Sequence, residues 1–194
     1  MPGAFGWRRG LGLAAIVGVA ALVVFRTGPP RPPDAQVAAR ARAVLAPFKQ
    51  QLMTALQEGL AQGPEAAIDV CRLRAPEIAS SLATGAVRVG RTSHRLRNPA
   101  NAPAPWMEPL LEELRRAEPG EIGYRVAPVG SGRMGYVEPI YVQPPCLTCH
   151  GESIAPSVAE RIRTAYPQDR ATGFALGEFR GLFWVELAAE LAGT

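Results

Sequence analysis

Residues 122–142 read IGYRVAPVGSGRMGYVEPIYV. Ile122–Val129 and Arg133–Val142 are rich in β-branched and aromatic side chains, and Gly130-Ser131-Gly132 between them is a tight-turn signal, so the stretch predicts a β-hairpin. Further strands are expected at Ala86–Arg91, which alternates, and at Gly181–Ala188, whose centre is Leu-Phe-Trp-Val-Glu-Leu. Upstream the apolar spacing changes from two to three or four. Val37, Ala41, Val44, Phe48, Leu52, Leu56 and Leu60 mark one helical face, with Asp34 as the expected N-cap. A second helix begins at Gly63-Pro64 and places Ala67, Cys71, Ala75, Ile78 and Leu82 on one face before Gly85 stops it. Pro47 predicts a kink in the first helix, and Pro76 a kink or a break into two short helices in the second. Asn98–Pro105 reads as an extended loop, and Trp106–Ala117 and Ser157–Tyr166 as short helices. Helices first and strands later indicate an α+β fold, with long N-terminal helices packed on a mostly antiparallel sheet.

Composition bounds the function classes. The chain has 194 residues, 47% hydrophobic and 20% charged, with a net charge of +4. That is one domain of ordinary size with a real core. The arginines are scattered, with no basic stripe interleaved with aromatics, so no nucleic-acid partner is expected. The first residues differ from the rest. Trp7, Arg8 and Arg9 precede an uncharged run, Gly10–Phe25, followed by Arg26 and a Pro/Gly stretch. Basic residues before an apolar run put the N-terminus in the cytoplasm and export the remainder of the chain. The reading is a signal anchor or cleaved signal peptide over 1–26, a Pro-rich linker over 27–33, and an exported domain over 34–194. The expected location is the periplasmic face of the inner membrane if anchored, or the periplasm if the signal is removed.

Cys146-Leu-Thr-Cys149-His150 carries the chemistry. This C-x-x-C-H pattern is that of c-type haem attachment. Two thiols three positions apart reach the two vinyl groups on one porphyrin edge, and the adjacent imidazole becomes an axial ligand. One covalent haem c is therefore expected, held by Cys146, Cys149 and His150 and installed by a cytochrome c maturation machinery. A thioredoxin-like pair would sit in a βαβ pattern that is missing here, and a zinc site would want four paired ligands where the chain has three cysteines and two histidines. The residues leave the second axial ligand open among Cys71, His94, Met53, Met107 and Met134. Cys71 is flanked by Arg72 and Arg74, which favour a thiolate. His94 lies in an arginine-rich loop, and the three methionines suit the core.

Several stretches together resemble the PAS-like c-type haem-binding domain family of bacteria and cyanobacteria, long known as a domain of unknown function. They are Ala67-Ile-Asp-Val-Cys71, Gly90–Pro103 with its Arg97-Asn98-Pro99-Ala-Asn101 string, Pro139-Ile-Tyr141, Cys146–Gly151, and Tyr166-Pro-Gln-Asp169 through Gly177-Glu-Phe-Arg-Gly181. The resemblance implies a PAS-like sheet domain and an unusual Cys/His axial pair. His150 and Cys71 would then be the metal ligands, with Arg91, Thr92, Arg97 and Asn98 near the haem and a guanidinium pairing with a propionate. It also implies a haem-based redox or gas sensor. No output domain follows Thr194 in this sequence, so such a sensor needs a membrane signalling partner. A membrane-anchored single-haem electron carrier with a redox partner is the alternative. An enzyme such as a peroxidase is not expected, because its open distal site would need acid–base groups that the chain does not offer.

Overall fold

The structure is a computed structural model that describes Met1, Gly3 and Pro33–Ala192. The chain divides into two compact units, Met1–Pro30 and Arg31–Thr194. The expected anchor or signal segment (apart from Met1 and Gly3) and the linker up to Pro32 lie outside the described residues. Among the described residues no helix is long and apolar enough to cross a membrane.

The elements run α1 (Asp34–Ala61), α2 (Pro64–Leu82), β1 (Val87–Thr92), α3 (Glu108–Arg116), β2 (Arg125–Gly130), β3 (Arg133–Tyr141), α4 (Leu147–His150), α5 (Pro156–Ala165), β4 (Phe179–Ala188) and α6 (Ala189–Ala192). The fold is α+β, as expected. Each long helix is a single α-helix containing its proline, Pro47 in α1 and Pro76 in α2, so of the two outcomes expected at Pro76 the break into two short helices does not occur. An interior proline costs about 3 kcal/mol. Packing on both sides of it offsets that cost. Val37, Ala41 and Leu45 before Pro47, and Phe48 and Ala55 after it, are all buried. Asp34 is not the N-cap. Pro33 holds that position, and the Asp34 carboxylate falls in the first turn, where the helix dipole favours it.

The hairpin forms over Arg125–Tyr141, with Ser131 and Gly132 at its tip in positive φ. Ile122–Tyr124 precede the strand rather than joining it. All pairings within the four-stranded sheet are antiparallel, in the order β1-β4-β3-β2. The last strand in chain order is therefore central, flanked by β1 and β3. Period-two alternation sorts the two faces. Val185 and Leu187 of β4, with Met134 and Tyr136 of β3, pack under α1. Leu182 and Val137 pack on the other face with Leu111 and Leu114 of α3.

One polar group is buried within this second layer. The Glu186 side chain is 6% exposed and paired with Arg88 at 3.2 Å and Arg133 at 3.6 Å, and it accepts a hydrogen bond from the Trp106 indole at 2.9 Å. Glu186→Leu strands both Arg133 and the indole N–H. We expect a loss of about 3 kcal/mol in denaturant unfolding, with an unchanged slope.

Candidate functional site

The stripe Phe48, Leu52, Leu56 and Leu60 on α1 does not end in packed core. Beyond Phe48 it lines a cavity of about 570 Å³, within the about 300–1,000 Å³ usual for cofactor sites. The α2 wall contributes Ala67, Cys71 and Ala75, the sheet contributes Arg91, Glu138 and Phe183, and the floor carries Cys146, Cys149 and His150. An apolar face that a folded helix leaves uncovered by protein marks where something else belongs.

The Cys146–His150 stretch is a compact knuckle. A 3-10 turn, Pro144–Cys146, runs directly into α4. The Pro-Pro pair thus starts the turn and positions both thiols. All three cysteines are free thiols. The knuckle is fastened to the loop 169–174 through the backbone, where Gly173 N–H donates to the Gly151 carbonyl and Phe174 N–H to that of His150, each at 2.9 Å. His150 is tied to the same loop, its Nδ1 bonding the Ala171 carbonyl at 2.6 Å. A carbonyl only accepts, so Nδ1 carries the proton and Nε2 keeps its lone pair for a ligand role. Burial above all, and then the Arg97 and Arg180 charges, push the His150 pKa down to about 2. The imidazole is therefore neutral at any physiological pH. Burial likewise raises the Cys149 thiol, with Cys71 and Cys146 adding to the effect while Arg97 opposes it.

Of the residues expected from the sequence, Cys71, Cys146, Cys149, His150, Arg91, Thr92, Arg97 and Asn98 all line this one cavity. They do not all face it as free groups. Thr92 spends its hydroxyl on the Asn101 carbonyl at 2.7 Å, and Asn98 caps the turn Pro99–Asn101 by accepting from Ala100 N–H at 3.0 Å. Arg97 is an anchor. Its guanidinium bonds Asp169 at 3.1 Å and the carbonyls of Cys149 at 2.5 Å and Ala171 at 3.3 Å, joining the knuckle to the loop that orients His150.

Two residues fall elsewhere. His94 does not line the cavity. It stacks on Phe179 with ring centroids 5.7 Å apart, away from the residues that line the cavity with Cys71. Met107 and Met134 are core as expected, 3% and 4% exposed, but Met53 is not: it sits half exposed on the cavity rim. Among the described residues no three His, Cys, Asp or Glu side chains gather into a metal cluster of the zinc type. Arg180 and Tyr166 complete the wall and were not singled out from the sequence as site residues. Burial, with help from Cys71, raises the Tyr166 hydroxyl, and burial, then Arg91 and Arg97, push the Arg180 guanidinium down to about 10.

The site is thus an apolar cavity in an α+β scaffold, with the Cys146 and Cys149 thiols and a neutral His150 imidazole on one side and the Cys71 thiol on the facing helix. The family model for Tll0287-like proteins (Tll0287) matches residues 31–188, and the chain belongs to that family. Its fold is similar to the crystal structure of the cyanobacterial haem protein Tll0287, with a TM-score of 0.57 and 24% identity. That alignment covers 80% of this chain and 96% of the other. No curated protein sequence matches the chain.

Proposed function

We propose that this chain is an exported, membrane-tethered haem protein that carries one haem c and works as a redox or gas-sensing module rather than as an enzyme. Cys146 and Cys149 would supply the thioether sulfurs, and His150 Nε2 and the Cys71 thiolate the two axial ligands. The observation that carries the reading is the shared cavity: Cys71 on α2 and the C-x-x-C-H knuckle line one apolar space, and His150 already has its Nδ1 proton engaged. The kinship of the chain with a haem protein supports the cofactor, and the Gly10–Phe25 run supports export and anchoring. The PAS-like character and the Cys/His pair rest on the sequence resemblance and on where Cys71 sits.

Haem bound here supplies a one-electron couple and an iron able to change ligands. The chain's own residues do the rest. Apolar α1 and α2 side chains exclude water, Arg97 and the Ala171 carbonyl hold the imidazole plane, and Cys71 would be the second ligand to the iron, one that a gas or a change of redox state could displace. A second reading, an electron carrier, is favoured by one contact series. The His150 ring meets Phe174 edge-on at 6.4 Å, and Phe174 meets the exposed His94 at 6.0 Å. This gives an aromatic route from the proximal ligand to solvent.

The test is the mature protein made in a cell with c-type haem maturation. Covalent haem predicts a mass increase of one haem that survives denaturation and acid extraction, and extractable or missing haem overturns the reading. Spectra with reductant and CO separate the two roles. Loss of the thiolate signature marks a sensor, whereas one-electron cycling without a ligand change marks a carrier.

A further inference from the structure

We propose that Arg91 and Arg180 form a two-cation site on the cavity wall that takes the two carboxylates on the acidic edge of the bound porphyrin. This rests on the haem reading above and adds which groups hold that edge.

The two side chains reach the cavity by different routes. Arg91 continues the face of β1 that carries Val87 and Val89 under α1, one step beyond the packed core. Arg180 arrives through a bulge. On β3 Ile140 pairs with Gly181 and Tyr141 with Phe179, so Arg180 is the extra residue with no partner across the ladder. A bulge re-aims the side chain at its extra position. Gly181, at φ 152°, makes the backbone path for it.

A charge count then singles out these two. Four guanidiniums cluster here: Arg91, Arg95, Arg97 and Arg180. Asp169 takes Arg97 at 3.1 Å, and Glu178 takes Arg95 at 3.6 Å. Among the described residues, Arg91 and Arg180 make no ion pair. Arg180 is nevertheless held in place. Its Nη1 donates to Ser93 Oγ at 2.7 Å and to the Arg95 carbonyl at 3.2 Å, while Nε and Nη2 make no hydrogen bond among the described residues. Neither of these two nitrogens is a sealed-off, orphaned donor, so both keep accessible surface, and Arg180 is one of the residues that line the cavity. Two uncompensated cations in a poorly hydrated wall are unfavourable by themselves. A dianion arriving with two carboxylates offsets both, through the bidentate geometry that a guanidinium fork provides. The matching numbers, two free guanidiniums and two propionates, leave Arg97 to its anchoring role.

The experiment uses haem-loaded wild type, Arg91→Gln, Arg180→Gln and Arg180→Lys, read by resonance Raman spectroscopy and redox titration. In each Gln variant we expect the bending bands of the porphyrin carboxylates to shift. A cation lost near the ring should also favour the ferric state about tenfold, or about 59 mV for one electron. Arg180→Lys should restore the equilibrium but not the band, because its charge is kept and its fork is not. Unmoved carboxylate bands in both Gln variants overturn the assignment whatever the potential does. If Arg180→Gln fails to fold, the Arg91→Gln bands alone decide. Wild type that carries no haem overturns the haem reading and this site together, and so distinguishes the two failures.

Discussion

Cys71→Ser should yield a protein that keeps its covalent haem but loses the low-spin ferric thiolate signal in electron paramagnetic resonance. On the proposed reading the attachment chemistry would lie wholly in Cys146, Cys149 and His150, so stoichiometry per chain should not change. What changes is the sixth position. A ligand on α2 that covers the iron nearly all of the time competes with any gas. If the iron is open about 1% of the time in the wild type, opening it permanently raises apparent CO affinity about 100-fold. The ferric–ferrous equilibrium should also move toward ferrous, because a thiolate pushes electron density onto iron. An unchanged low-spin signal would remove Cys71 from the assignment. The next candidate ligand would then be Met53 on the cavity rim, not His94, which packs on Phe179 away from the cavity.

Gly181→Ala should be the most destabilising single methyl in the sheet. A Cβ at this position would lie 2.1 Å from the Thr92 carbonyl oxygen and 3.1 Å from Ser93, and both contacts are to a neighbouring strand end rather than to a flexible side-chain tip. The backbone is also at φ 152°, a conformation that L residues rarely adopt. Overpacking and backbone strain together should cost about 3 kcal/mol or more. Denaturant unfolding of the haem-loaded variant measures it, and a loss below about 0.5 kcal/mol, the range of ordinary surface changes, would contradict this packing. Because the bulge at Arg180 depends on this glycine, any folded Gly181→Ala protein should also show the carboxylate-band shift of Arg180→Gln.

The elements of this fold were legible where one local rule spoke alone. The Gly-Ser-Gly tip between two β-rich runs located the hairpin, and the three-to-four spacing from Val37 to Leu60 located α1. That same spacing could not tell that Leu52, Leu56 and Leu60 serve a cavity while Val37 and Ala41 serve the core, because both look apolar from the sequence. Pro76 left a break in α2 open for a related reason. The local rule charges for a missing hydrogen bond, and the packing that offsets it is tertiary. Cys71 was placed on an inward helical face by periodicity, but only resemblance singled it out among the candidate ligands. Arg180 was invisible in principle. Its direction is set by a register shift between β3 and β4, and strict alternation would have placed it with Leu182 on the opposite face.

The central position of β4 has a consequence in time as well as in space. Val87 pairs with Leu187 and Met134 with the same residue, so the sheet that supports the cavity closes only after residues 179–188 are available. Chains with such distant pairings fold slowly. As the polypeptide emerges, the Cys146–His150 knuckle precedes that strand by about thirty residues, roughly 100 Å of extended chain. If the chain carries haem c as proposed, an enzyme that must reach the two thiols would find them before the strand that completes their enclosure is in place. The order of the chain would thereby schedule that modification ahead of closure.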